Sequence, residues 1–207
     1  MKVMQHFVFD KVQCRTEVDE LKQLLLNNQE LKENEDILPF FRIRPNICSL
    51  LLNYFPYIRS ADLIAPEYSI DGHFRADLIV GSSVDSKYVL VEFEDGNPDS
   101  IFKRKRGKSK RDWSKRFESA YSQLTDWFWK LEDNRSTVNF ITTFGSVTAN
   151  FYGLIITGKD MNLIPEEEHR LKWRMDKTSI DNNHINVIPF DQLYKDMDYW
   201  LKRYHNV

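Results

Sequence analysis

Long apolar runs are missing from this sequence: no uninterrupted hydrophobic stretch approaches the length of about 18 residues that a membrane helix needs, so a helical membrane span is excluded. Met1 to Asp10 mixes Lys2 and His6 with Phe7, Val8 and Phe9, and neither an apolar leader core nor a small-residue cleavage site follows. The expectation is a cytoplasmic protein without a membrane partner. Cysteine is nearly absent. Cys14 and Cys48 stand alone, with no CxxC pair and no histidine at ligand spacing, which argues against a disulfide framework and a structural zinc site. The five histidines show no ligand spacing among themselves and are read as non-catalytic, although His73 lies in a turn near Asp77 where it could touch a phosphate. Excess charge is lacking too, since the net value is only −2.

The charge is nonetheless uneven. Lys103 to Arg116 carries nine basic side chains, Lys103, Arg104, Lys105, Arg106, Lys108, Lys110, Arg111, Lys115 and Arg116, against Asp112 alone, so this block is +8 and the remainder −10. Such a block is commonly a solvated loop, but its place directly after an acidic strand favours contact with nucleic-acid phosphates. With 207 residues, 42% hydrophobic and 14% aromatic, the chain can bury one sizeable core.

Periodicity divides the chain into a helical segment over residues 1–60 and an α/β core over residues 61–207. Val18, Leu21, Leu24 and Leu25 predict an amphipathic helix over Thr16 to Asn28, capped by Thr16 with Glu17, Asp19 and Glu20 in its first turn. Glu30 to Asp36 reads as a linker turn, and Pro45 opens a second helix ending near Pro56. Glu67 to Ile70, Phe74 to Val80 and Tyr88 to Glu94 read as an antiparallel meander, separated by Asp71-Gly72 and Gly81-Ser82-Ser83. From Ser114, the spacing of Phe117, Ala120, Tyr121, Leu124, Phe128 and Leu131 predicts a long amphipathic helix. Val138 to Phe144 reads as a strand or extended lead-in, and Phe151 to Thr157 as a strand buried on both faces. Pro165 opens a further helix, Asn186 to Phe190 is a last strand, and Asp191 caps a helix through Tyr204.

Strand alternation puts Arg75, Asp77 and Ile79 on one face, opposite Phe74, Ala76, Leu78 and Val80, and puts Leu90, Glu92 and Glu94 opposite Val89, Val91 and Phe93. With the apolar sets aligned, Asp77, Glu92 and Glu94 gather on one surface, either as a solvated acidic edge or around a cation. Oxygen-only ligands favour Mg²⁺ or Mn²⁺ over zinc.

Asp77-Leu-Ile-Val, then Val91-Glu92-Phe-Glu94 after a short hairpin, then Gln123 on the next helix resembles the PD-(D/E)XK nuclease core. The segments 74–80, 89–95 and 120–127 resemble the Shedu anti-phage defence nucleases, over roughly residues 16 to 160. The resemblance implies a restriction-endonuclease-like fold, a mixed sheet flanked by helices. It also implies a homo-oligomer acting in phage defence on DNA, needing Mg²⁺ or Mn²⁺ and no organic cofactor. Asp77 and Glu92 would be metal ligands, the backbone carbonyl of Phe93 a further ligand, Glu67 an upstream acidic position, and Gln123 a border residue of the site.

One departure is that Glu94 stands where the general motif has a lysine to orient water and offset transition-state charge. A carboxylate can instead be a ligand or a base. The sequence therefore predicts a metal-dependent endonuclease with Asp77, Glu92, Glu94 and Gln123 in its site and the basic block on DNA. The alternatives are a non-catalytic nucleic-acid-binding or assembly module and a type II restriction endonuclease. Trp127-Phe128-Trp129 reads as core or interface rather than as a base-stacking surface.

Overall fold

The computed structural model describes residues 3–180 and 183–207. The chain begins with a two-residue strand β1 (Gln5–His6), then a run of helices: α1 (Lys11–Asn27), α2 (Leu38–Arg42) and α3 (Pro45–Ser49). Three strands follow, β2 (Leu63–Ile70), β3 (Phe74–Ser82) and β4 (Lys87–Phe93), then the short pair β5 (Phe102–Lys103) and β6 (Asp112–Trp113). The rest comprises α4 (Lys115–Asp133), α5 (Val138–Phe144), β7 (Asn150–Ile156), α6 (Pro165–Lys177), β8 (Ser179–Ile180), β9 (Asn183–Ile188) and α7 (Phe190–Trp200). Seven strands form one mixed sheet in the order β1-β2-β3-β4-β7-β9-β8, with β4, β7 and β9 parallel and the other pairs antiparallel.

Both faces of the sheet are covered. On one face α4, α5 and α6 press Phe117, Leu124, Phe140 and Leu171 against Ile79, Leu90, Ile155 and Val187. On the other, the N-terminal helices and α7 press Val18, Phe41, Ile47 and Leu193 against Leu78, Val80, Val91 and Leu154. This is the α/β architecture expected, consistent with a restriction-endonuclease-like core. No helix among the described residues is long and apolar enough to cross a membrane.

The meander forms as expected: Asp71 and Gly72 both take positive φ (52° and 72°), the geometry of a tight hairpin turn. Gly81 and Ser82 lie inside β3 rather than in the second turn. The ring of Tyr88 lies where a Cβ on Gly81 would be, 2.2 Å from its Cδ1, so only glycine admits this pairing. Strict alternation fails on β2 and β3. Ala76 joins Ile79 in the core under α4, while Leu78 and Val80 face the other layer. The break coincides with Glu67, whose φ of 48° interrupts β2 beside Asp77. The face that carries the carboxylates is therefore no solvated surface, since both faces of the sheet are lined by buried apolar side chains.

Several boundaries move because side chains find other partners. α1 starts before Thr16: Asp10 is its cap, accepting from the N–H groups of Val12 (2.8 Å) and Gln13 (3.1 Å). Part of the supposed linker is a π-helical turn, Glu33–Ile37, running into α2. Val138 to Phe144 is helix, not strand. Thr137 caps it through Phe140 N–H, Gly145 ends it at φ 77°, and Phe140 and Phe144 pack inward on the helical period. Those local caps override the β-branched composition. Asp191 does not cap the last helix, which starts from Pro189; its carboxylate instead accepts from Asp160 N–H (2.6 Å) and Met161 N–H (3.1 Å), holding the turn after β7. The long helix from Ser114 is as expected, its hydroxyl accepting from Phe117 N–H.

Candidate active site

β3 pairs with β4 only from Leu78 opposite Val91, while its earlier residues pair with β2 alone and the end of β4 pairs with β7 alone. The sheet thus forks. Asp77 stands on one prong and Glu92 on the other, at the carboxyl end of a parallel strand where α/β sheets open their crevices. Asp77 bridges the prongs by accepting from Phe93 N–H (2.8 Å). The Glu92 carboxyl lies close enough to Asp77 for the two to shift each other's proton affinity. From α4, Gln123 donates its Nε2 hydrogen to Glu92 Oε1 (2.6 Å). Gln123 reaches the site because Leu124, beside it, is pulled into the core under the same helix.

Burial dominates the electrostatics here. Glu92 is 5% exposed and Glu94 4%. Desolvation pushes the carboxyls of Asp77 and Glu92 well above the carboxylate range, and for Glu92 the neighbouring charges of Asp77 and Glu94 push further. Burial raises Glu94 to about 7 against the opposing hydrogen bond from Arg116. Half-buried Asp77 and buried Glu92 thus form an oxygen pair of raised proton affinity. Among the described residues no group of three or more His, Cys, Asp or Glu side chains is arranged to hold a metal ion. A two-carboxylate set still fits a hard divalent ion whose remaining positions are filled by water and phosphate oxygens.

Glu94 lies just past β4, its N–H bonded to Ile156 O of β7 (3.0 Å), and its carboxylate meets Arg116 Nη1 at 3.0 Å. The same guanidinium reaches Glu33 Oε2 (3.2 Å) and, through Nε, Asp95 Oδ2 (3.3 Å). Glu33 arrives from the N-terminal segment, fixed by its own N–H on Asp95 Oδ1 (2.9 Å) and by Gly96 N–H on Leu31 O (2.8 Å). Burial raises its carboxyl as well. Lys159, 5% exposed, ties down the chain just before it by donating to Asn28 O (2.8 Å) and Gln29 O (3.0 Å).

The sequence therefore named Asp77, Glu92, Glu94 and Gln123 as one site, and the fold brings them together. Glu33 and Asp95 were missed. Glu33 had no signal, because its arrival depends on contacts more than 60 residues away in sequence; Asp95, beside Glu94, could have been suspected from the run of acids. Glu67 borders the crevice beside Asp77 and Phe93, but its carboxylate is engaged by Arg42 (2.9 Å) and Arg75 (3.3 Å). Phe93 itself turns its N–H to Asp77. His73 is exposed in the β2–β3 turn. Trp127 and Phe128 are core, and only Trp129 is exposed.

The basic block splits into groups with different occupations. Arg111 is tied to Glu167 by two hydrogen bonds and to the carbonyls of Pro98 (2.9 Å) and Asn162 (2.8 Å), so it fastens the loop to α6. Arg116 belongs to the carboxylate site. Lys105 and Lys108 share Asp112, and Lys110 meets Glu166, all at the surface. Lys103, Arg104, Arg106 and Lys115 have no ion pair among the described residues.

No curated protein matches this chain. Residues 28–194 match the family described as Shedu protein SduA, C-terminal. That span takes in the fork, both prongs, α4 and the loop carrying Glu33, and on it the chain belongs to the Shedu family.

Proposed function

We propose that this chain is a metal-dependent nuclease that hydrolyses DNA phosphodiester bonds in anti-phage defence, the role that Shedu membership suggests. The observation that carries the reading is the juxtaposition of Asp77 and Glu92 at the sheet fork, two carboxyls of raised proton affinity with a glutamine locked onto one and a backbone N–H onto the other. Paired acids with raised proton affinity are a stored site for a cation, and a structural role would be served better by neutral side chains of the same shape.

Asp77 and Glu92 hold Mg²⁺ or Mn²⁺. A divalent ion there supplies Lewis acidity, lowering the pKa of a water and offsetting charge on the phosphoryl oxygens. Gln123 fixes the rotamer of Glu92, and Phe93 N–H fixes that of Asp77, so both oxygens are oriented in advance. Phe93, whose N–H already faces Asp77, is proposed to offer its backbone carbonyl as a further oxygen. Glu67, occupied by Arg42 and Arg75, braces the crevice wall instead of ligating. Glu94 anchors Arg116. Lys103, Arg104, Arg106 and Lys115, exposed and without ion pairs among the described residues, bind DNA phosphates.

Plasmid digestion across Mg²⁺, Mn²⁺ and EDTA tests this. Cleavage in both metals, none in EDTA and none by Asp77→Asn is the expected pattern; equal cleavage by parent and Asp77→Asn in nuclease-free preparations overturns the assignment.

A further inference from the structure

We infer that Arg116, projecting from the first turn of α4, is the residue that contacts the scissile phosphate and supplies the positive charge removed from the strand by Glu94. The inference rests on the nuclease reading above and adds a residue to it. Where the general motif has lysine, this chain places a carboxylate buried at 4% exposure. A buried anion there makes the local charge worse for a phosphodiester, not better, unless a cation comes with it. The cation comes from another element: Arg116 Nη1 lies 3.0 Å from Glu94 and 3.2 Å from Glu33, and its Nε lies 3.3 Å from Asp95.

The geometry is that of a positioned donor rather than a filled ion pair. Three carboxylates meet the guanidinium at Nη1 and Nε, on its two different flanks, whereas Nη2 between them has no hydrogen-bond partner among the described residues. The side chain is 53% exposed, so the guanidinium is accessible from solvent. Arginine presents its donors in a rigid plane that matches phosphate oxygens. Held at Nη1 and Nε, Arg116 can offer Nη2 to a non-bridging oxygen without giving up its anchors. Glu33, Glu94 and Asp95 are then the support of this donor, which accounts for acids that are not in the Asp77–Glu92 pair.

The test compares the parent with Arg116→Ala and with Glu94→Lys/Arg116→Ala, which moves the cation back to the strand between Glu33 and Asp95. Three quantities are read: Ca²⁺ affinity by calorimetry, affinity for a short duplex in Ca²⁺ by anisotropy, and cleavage in Mg²⁺. Arg116→Ala is expected to bind Ca²⁺ at least as tightly as the parent, since a competing cation is gone. It is expected to bind the duplex about tenfold more weakly and to cleave about 100-fold more slowly, the cost of one oxyanion donor. The double variant should recover at least tenfold of that rate. Equal duplex affinity for parent and Arg116→Ala overturns the inference, as does a loss of Ca²⁺ affinity in Arg116→Ala or a folded double variant no faster than the single one. Should the buried lysine of the double variant prevent folding, the two affinities of Arg116→Ala decide alone. A parent inert in every metal overturns the nuclease reading, and duplex binding in Ca²⁺ still decides the role of Arg116.

Discussion

Replacing Glu92 by glutamine should make the metal-free protein more stable while destroying its response to divalent ions. Glu92 is buried with its carboxyl pushed above the ordinary range by desolvation and by Asp77 and Glu94. A group whose folded pKa is raised contributes stability that is fully present below its unfolded pKa and lost as pH rises toward the folded value. In the unfolded chain Glu92 ionises near pH 4.3, and each pH unit above that costs about 1.4 kcal/mol as long as the fold keeps the proton. At pH 7 the cost is at most about 3–4 kcal/mol, and water entering the fork brings it nearer 2. Glutamine has the same shape, can accept from Gln123 through its oxygen and can donate to Asp77, so Glu92→Gln removes the penalty without leaving a hole. For a chain of this size, a gain of about 2 kcal/mol is roughly 4–8 °C in Tm. Mg²⁺ at about 100 times its Kd should stabilise the parent by about 2.7 kcal/mol and the variant hardly at all. Urea unfolding at pH 5, 7 and 8, in EDTA and in Mg²⁺, measures all of this. A Glu92→Gln protein less stable than the parent at pH 8 in EDTA, or one with the same pH slope, refutes the argument.

Asp77→Asn is expected to remain folded by circular dichroism and to lose plasmid cleavage by at least about 100-fold, because it withdraws a ligand charge and no core volume. Glu94→Lys alone should slow cleavage steeply, since the new ammonium would face Arg116; a variant as fast as the parent would show that the two side chains do not meet. DNA affinity should fall with salt at a log–log slope near −3.6 if about four phosphates are neutralised. Changing Lys103, Arg104, Arg106 and Lys115 to serine should flatten that slope, whereas an unchanged slope returns the block to a solvated loop. Arg111→Ala should instead cost about 3 kcal/mol of stability in urea, because it strands Glu167, itself only 3% exposed; full stability would mean that the loop does not depend on α6.

What the sequence determined by itself was local. The three-residue and four-residue spacing of Phe117 to Leu131 specifies α4, Asp71-Gly72 specifies its hairpin, and the continuous run from Phe151 specifies a strand buried on both sides. Period 2 also predicted Glu92 and Glu94 two residues apart at the end of β4, and the same helical period that buries Leu124 carries Gln123 to the site. Each of these follows from side-chain geometry within a few residues. The tertiary structure decided whatever depended on partners distant along the chain. Val138 to Phe144 became helix because Thr137 and Gly145 cap it over an aromatic cluster, and Asp191 was diverted to a turn 31 residues away. Glu33 entered the site on a strap held by Asp95 and Lys159, and a nominally uniform basic block was sorted into a fastener, a site arginine and free surface cations. Charge and periodicity are properties of a short segment, but which carboxylate meets which guanidinium depends on how the layers stack. That is why the pair of acids could be read in advance and the arginine beside them could not.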